Sequence, residues 1–118
     1  MKNITDTLID DVTVVTTSYV SEPIEIKYAI NYAIQLSFTA ATSGSIYLEV
    51  SCDEPSVNHR SPDLTSISTW STIDGSVTAL NGSGTGLFDI ENTGNNWVRV
   101  HIIGPVTINS LRVNAKCG

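Results

Sequence analysis

Residues 33–53 read AIQLSFTAATSGSIYLEVSCD, and their patterning decides the fold class. Ile34, Leu36 and Phe38 alternate with Ala33, Gln35, Ser37 and Thr39, and then Ile46, Leu48, Val50 and Cys52 alternate with Tyr47, Glu49, Ser51 and Asp53. Successive side chains of a strand point to opposite faces, so an apolar period of two predicts a strand with one buried and one wet face. Thr42-Ser43-Gly44 between the runs predicts a turn, and the pair predicts a β-hairpin.

The same rhythm recurs outward from this stretch. Val98, Val100 and Ile102 alternate with Trp97, Arg99, His101 and Ile103, after the turn-like Asn92-Thr93-Gly94-Asn95 and before Gly104-Pro105. In the last run, Val106 and Ile108 differ in parity from Leu111 and Val113; one extra residue between Asn109 and Ser110, a β-bulge, returns both pairs to one side. Shorter candidates span 12–17, 24–27, 68–73, 77–80 and 87–90, with Asn81-Gly82-Ser83-Gly84-Thr85-Gly86 as a turn. No segment keeps a 3.6 period with helix caps. The expected fold is all-β: a two-sheet antiparallel sandwich, jelly-roll-like, of eight or nine strands with little or no helix. Residues 1–20 read as an N-terminal arm or first strand, and 21–118 as one sandwich domain with a long polar insertion at 54–69.

Composition narrows the function. The 118 residues carry six basic and twelve acidic side chains, a net charge of -6, and only 15% are charged, so Ser, Thr and Asn dress the surface. A chain of this sign repels a phosphate backbone, which argues against nucleic acid and anionic membrane as partners. No run approaches the roughly 20 apolar residues of a membrane helix, and the start MKNITDTLIDD lacks a secretory signal pattern. Cys52 and Cys117 are too few for a disulfide framework: they read as one staple or as two independent thiols, with Cys52 in phase with the buried stripe.

Catalytic signatures are missing from the pattern. A serine hydrolase needs a base within reach of its nucleophile, and the two histidines, His59 in the polar insertion and His101 on the outer face of a strand, are not placed beside a serine by any motif. No His or Cys pair has zinc-ligand spacing, no calcium-loop run occurs, and GSGTG at 82–86 lacks the Lys and helix of a phosphate loop. The expectation is no enzyme activity, no metal and no cofactor. Aromatic side chains remain, because flat rings stack on sugars or anchor protein interfaces. Tyr47 and Trp97 fall out of phase with the core, Arg99 lies between Trp97 and His101, and Trp70 follows the insertion. Tyr47, Trp70, Trp97, Arg99, His101 and His59 are therefore the interface or ligand-binding candidates.

From about Ser21 to Gly118 the order of landmarks resembles a family of small virion-associated β-sandwich proteins of tailed bacteriophages. The landmarks are Ser21-Glu22-Pro23-Ile24-Glu25-Ile26, AIQLSFTA, SIYLEVSCD, Trp70 with Ile73, Asn92-Thr93-Gly94 before WVRV, and the closing VTINSLRVNAKCG. That family usually places its Trp a few residues after the Ser-x-Asp, whereas here the insertion separates Asp53 from Trp70. The resemblance implies a structural part of the particle, a capsid decoration or a tail or fibre accessory protein, made in the host cytoplasm and carried in the virion. It would act by assembly with other virion proteins, as a homo-oligomer for which a trimer is the expectation. The alternative is a carbohydrate or receptor-binding module of jelly-roll type that takes a cell-surface glycan through Trp70, Trp97 and the insertion.

Overall fold

The computed structural model describes residues 2–54, 57–58, 61–73, 78–92 and 94–117. Its strands, in chain order, are β1 (Lys2–Ile9), β2 (Thr13–Val15), β3 (Ser18–Val20), β4 (Ile24–Glu25), β5 (Ala29–Ser51), β6 (Val57–Asn58), β7 (Ser61–Pro62), β8 (Ser71–Thr72), β9 (Thr78–Glu91), β10 (Trp97–Ile103) and β11 (Val106–Cys117). The one helical element among the described residues is a single 3-10 turn, Leu64–Ser66.

All-β and antiparallel are as expected, but the two-sheet sandwich is not. Among the described residues nine strands form one strongly curled sheet, a half-barrel, and β6 pairs only with β7. The expected hairpin is replaced by a single 23-residue strand, β5, whose halves do not pair with each other. Along one edge its first half pairs with β11, from Ala29↔Cys117 to Thr39↔Thr107, and its second half with β10, from Ser45↔Ile103 to Ser51↔Trp97. Along the other edge β9 accompanies both halves, from Asn31↔Glu91 to Ile46↔Thr78. Beyond β10 and β11, β4 and β3 lie on β10 while β2 and β1 lie on β11. The sheet is thus four long ribbons, residues 2–25, 97–117, 29–51 and 78–91, side by side.

Each ribbon changes direction at the same level. The corners are Thr16-Thr17, the cis Gly104-Pro105 bond, Ala40 to Gly44, and Gly82. At its corner β5 spends two more residues than β9, with register shifts between Phe38 and Ala41 and between Ala41 and Gly44. Extra residues on one strand bend it and raise its twist. Ala40 sits at φ 55 and Gly82 at φ 67, the left-handed region that a sharp change of direction requires. Thr42-Ser43-Gly44 looks like a turn because its residues are small and permissive, and a corner selects the same residues. The run at 82–86 is likewise inside β9 and not a turn. Gly44 is needed for closeness: a Cβ there would lie 2.8 Å from the Ile103 carbonyl oxygen.

Both halves of the bent sheet send their apolar rows to the concave side. Ile34, Leu36, Leu111 and Ile108 from one half join Leu48, Val98, Val100 and Ile102 from the other in one core, each fully buried. The bulge expected at Asn109 is present, as Ile108 opposes Phe38 while Ser110 opposes Ser37. The expectation for Cys52 fails, because β5 ends at Ser51, so Cys52 is an exposed free thiol whose Sγ donates to Asn95 Oδ1 at 3.4 Å. Of the two readings of the N-terminal stretch, arm or first strand, residues 2–9 form a strand: β1 extends the chain's own sheet beside β11.

Two polar residues tie this framework together. Buried Ser21 continues the ladder where β3 stops: its N–H donates to the Val100 carbonyl, and its Oγ accepts from the Val100 N–H at 2.8 Å. Ser21→Ala strands that buried N–H, and chemical denaturation is expected to read a loss of ~1–3 kcal/mol. Asn92 holds the turn into β10, donating to the carbonyls of Ile26 and Ala29 and accepting from the Asn95 N–H.

Tyr32 gives the fold a pH dependence. Burial pushes its phenol up to about 12, against 10.0 when exposed. The unfolded chain therefore releases this proton first, so the contribution of Tyr32 is intact below pH 10 and declines as pH rises from 10 toward about 12. Tyrosinate absorbance should show Tyr32 ionising last of the four tyrosines, together with unfolding. An alkaline unfolding midpoint unmoved in Tyr32→Phe would refute this.

Candidate functional site

The outward row of the second half-sheet carries the polar and aromatic residues. Tyr47 and Glu49 of β5 lie directly across from His101 and Arg99 of β10. Opposed side chains share a face and touch, so two neighbouring cross-strand pairs become one cluster. The Tyr47 hydroxyl and His101 Nδ1 are 2.7 Å apart, with the rings stacked at 4.6 Å between centroids. Arg99 Nε donates to Glu49 Oε1 at 3.0 Å, and that same oxygen lies 3.5 Å from His101 Nδ1. The Tyr47 phenol is raised by burial and by the Glu49 carboxylate, with Arg99 opposing.

Trp70 reaches the cluster from outside the sheet. Its ring lies under the Arg99 guanidinium, 4.2 Å from Cζ to the ring centroid. Guanidinium stacking on an indole face is electrostatically favourable and fixes both planes. The segment bearing Trp70 is held by local hydrogen bonds. Asp53 Oδ2 accepts from the backbone N–H groups of Ser68 and Thr69, at 2.9 Å each, and these bonds keep its carboxyl below the usual range. Asp63 caps the 3-10 turn through the Thr65 N–H and hydroxyl. The Trp70 indole N–H donates to the Ile67 carbonyl, and β8 pairs with β5 just beyond.

The structure therefore brings together Tyr47, Arg99, His101 and Trp70. Trp97 points outward by parity yet is only 6% exposed; with Ile67 it is buried outside the main core cluster. His59 lies outside the described residues. The sequence reading missed Glu49, which links Arg99 to His101, and Asp53, which closes the base of the insertion. Glu49 was detectable in principle, because it shares a face with Tyr47 two residues away. The clamp at Asp53 joins residues fifteen and sixteen apart and has no sequence signature.

Beside the cluster is a notch of about 300 Å³, walled by Glu22, Pro23, Leu64, Ile67, Trp70 and Arg99. A larger hollow, about 590 Å³, lies at the other half of the sheet near Asp89, Glu91 and Lys116, and none of the sequence candidates lines it. Among the described residues no three His, Cys, Asp or Glu side chains gather in a metal-binding group, and no helix is long and apolar enough to cross a membrane. The arrangement offers stacking surface, one cation and hydrogen-bond donors in a fixed geometry, which suits recognition of a surface or small polar ligand.

The fold is all-β with one curled antiparallel sheet, and it is similar to folds of phage-derived and viral-particle proteins. The SPBc2 prophage-derived protein YomS is similar at a TM-score of 0.55 and 12% identity, over 97% of this chain and 92% of that one. The PBSX exported protein XepA is similar at 0.56 and 9% identity, and a chain of the T13 IBDV viral particle at 0.55 and 10%. This chain is covered to 98% and 99% in those two matches but spans only 37% and 31% of their length. No protein-family model matches the chain, and no curated protein sequence does.

Proposed function

We propose that this protein is a structural component of a phage virion, a capsid decoration or a tail or fibre accessory protein, that acts by protein–protein assembly and not by catalysis. The observation that carries the reading is the likeness to prophage-derived YomS over nearly the full length of both chains. The ordered patch of Tyr47, Arg99, His101 and Trp70 supports it, since Arg and aromatic residues are over-represented at the centres of protein interfaces. The partners are other virion proteins, contacted through this face, and the working location is the assembled particle.

The test is quantitative proteomics of purified particles, followed by rebinding of the purified protein to particles that lack it. Trp70→Ala and Arg99→Ala should each weaken rebinding by about 10–30-fold, as expected for loss of an interface anchor, with the melting curve otherwise preserved. A protein that is absent from particles and does not rebind refutes the proposal.

The notch beside Trp70 favours a second reading, a carbohydrate or receptor-binding module. Its apolar wall of Pro23, Leu64 and Ile67 beside Arg99 and Glu22 matches the mixed faces of a sugar. Glycan binding lost in Trp70→Ala would support it, and an array with no binding would remove it.

A further inference from the structure

One carboxylate oxygen serves two basic side chains on the outer face. Glu49 Oε1 accepts from Arg99 Nε at 3.0 Å and lies 3.5 Å from His101 Nδ1, which is also 2.7 Å from the Tyr47 hydroxyl. The side chains of Glu49, Arg99 and His101 are only 13%, 26% and 23% exposed, so water and salt screen their charges less than on an open surface. Trp70 extends the row, since its ring carries the Arg99 guanidinium. His101 thus stands at one end of a chain of contacts that runs through Glu49 and Arg99 to Trp70. Histidine is the side chain whose charge ordinarily changes between about pH 5 and 8.

We propose that His101 is a proton-operated switch of this face: taking up a proton draws Glu49 from Arg99 and loosens the guanidinium from Trp70. With His101 neutral, Arg99 and Glu49 balance each other and the guanidinium stays seated on the ring. A proton on His101 makes both ring nitrogens donors and places a second cation beside the same oxygen. Arg99 and His101 are two apart on β10 and share a face, so the two cations also repel each other. The His101 ring is pinned by its stack on Tyr47, whereas the longer Arg99 side chain has more rotamers open to it, so the arginine yields.

The surrounding groups leave this pH interval to His101. From β5 it is faced by Tyr47 and Glu49, and from β3 by Val20, which is apolar; Glu22, beyond β3, lines the notch with Arg99. The Tyr47 phenol is raised, and the Asp53 carboxyl is held below its usual range, so the Trp70 segment keeps its anchor at Ser68 and Thr69 throughout. The switch acts on the face proposed above for docking but is read in the isolated protein, so it stands or falls apart from the virion role.

Tryptophan emission of the whole chain should follow a single-proton transition between about pH 8 and 5. Trp70→Phe should remove the transition, and His101→Gln and Glu49→Gln should each abolish it. In the unsubstituted protein the Arg99 Nε–H resonance should shift with the same midpoint as the His101 ring protons, which reads the relay even where a variant does not fold. A transition that survives His101→Gln, an emission flat across the interval, or an Arg99 resonance that stays fixed while His101 titrates would overturn the switch. A protein that shows the transition yet does not rebind to particles would uphold the switch and refute the virion role.

Discussion

Leu36→Ala is expected to destabilise the protein by ~2–5 kcal/mol, the range for deleting a fully buried leucine side chain from a core that relaxes only in part. Leu36 has no exposed surface and stands across from Leu111 of β11 on one side and Gly86 of β9 on the other. Its neighbours belong to two other ribbons, each fixed by its own ladder, so the cavity cannot close by a local slide. Against a domain stability of ~5–15 kcal/mol this is a large fraction, and the midpoint of thermal unfolding should fall by roughly 10 °C or more. Gln35→Ala, one residue away on the wet face, is the control, with an expected change within about 0.5 kcal/mol. Equal stability of the two variants would mean that the parity of β5 is inverted.

The second large effect is at Gly104→Ala. A Cβ on Gly104 would lie 2.1 Å from the Val15 carbonyl oxygen and 2.8 Å from its carbonyl carbon. Both are backbone atoms, so no rotamer change relieves the overlap. The strand β2 would have to withdraw, with loss of the pairing of Val15 with Val106 and of the bond from Gly104 N–H to the Thr17 carbonyl. Overpacking typically costs ~1–3 kcal/mol, and a clash between two backbones belongs at or above the top of that range. Hydrogen exchange should speed up first at residues 13–17 and 104–108. An alanine variant as stable as the parent would show that the ribbons do not meet this closely at the corner.

These two sites separate what local pattern can report from what it cannot. The alternation at 34–38, 46–50 and 98–102 identified strands and their buried faces from one physical fact, that a strand alternates its side chains. The parity change after Ile108 likewise required one extra residue, and the structure holds Asn109 in that role. Local pattern is silent about partners. Thr42-Ser43-Gly44 fits a hairpin turn or a corner equally well, and the choice is made by β9, β10 and β11, residues 30 to 80 positions away, which pair along the whole of β5.

The candidate site divides in the same way. Tyr47, Arg99 and His101 were readable as outward residues because their positions fall between buried ones. Their contact with one another needed the register of β5 on β10, which sets Tyr47 on His101 and Glu49 on Arg99. Trp70 needed the Asp53 clamp as well, and the burial of Trp97 runs against its outward parity.

By itself the sequence determined that this chain makes strands, which side of each faces the core, and where the last strand bulges, since those follow from side-chain alternation within a few residues. Only the tertiary structure decided that the strands form one bent sheet in place of two layers, and that four separated side chains meet on its outer face. Strand pairing is set by backbone hydrogen bonds that every residue can make, and such bonds leave no mark in the order of side chains.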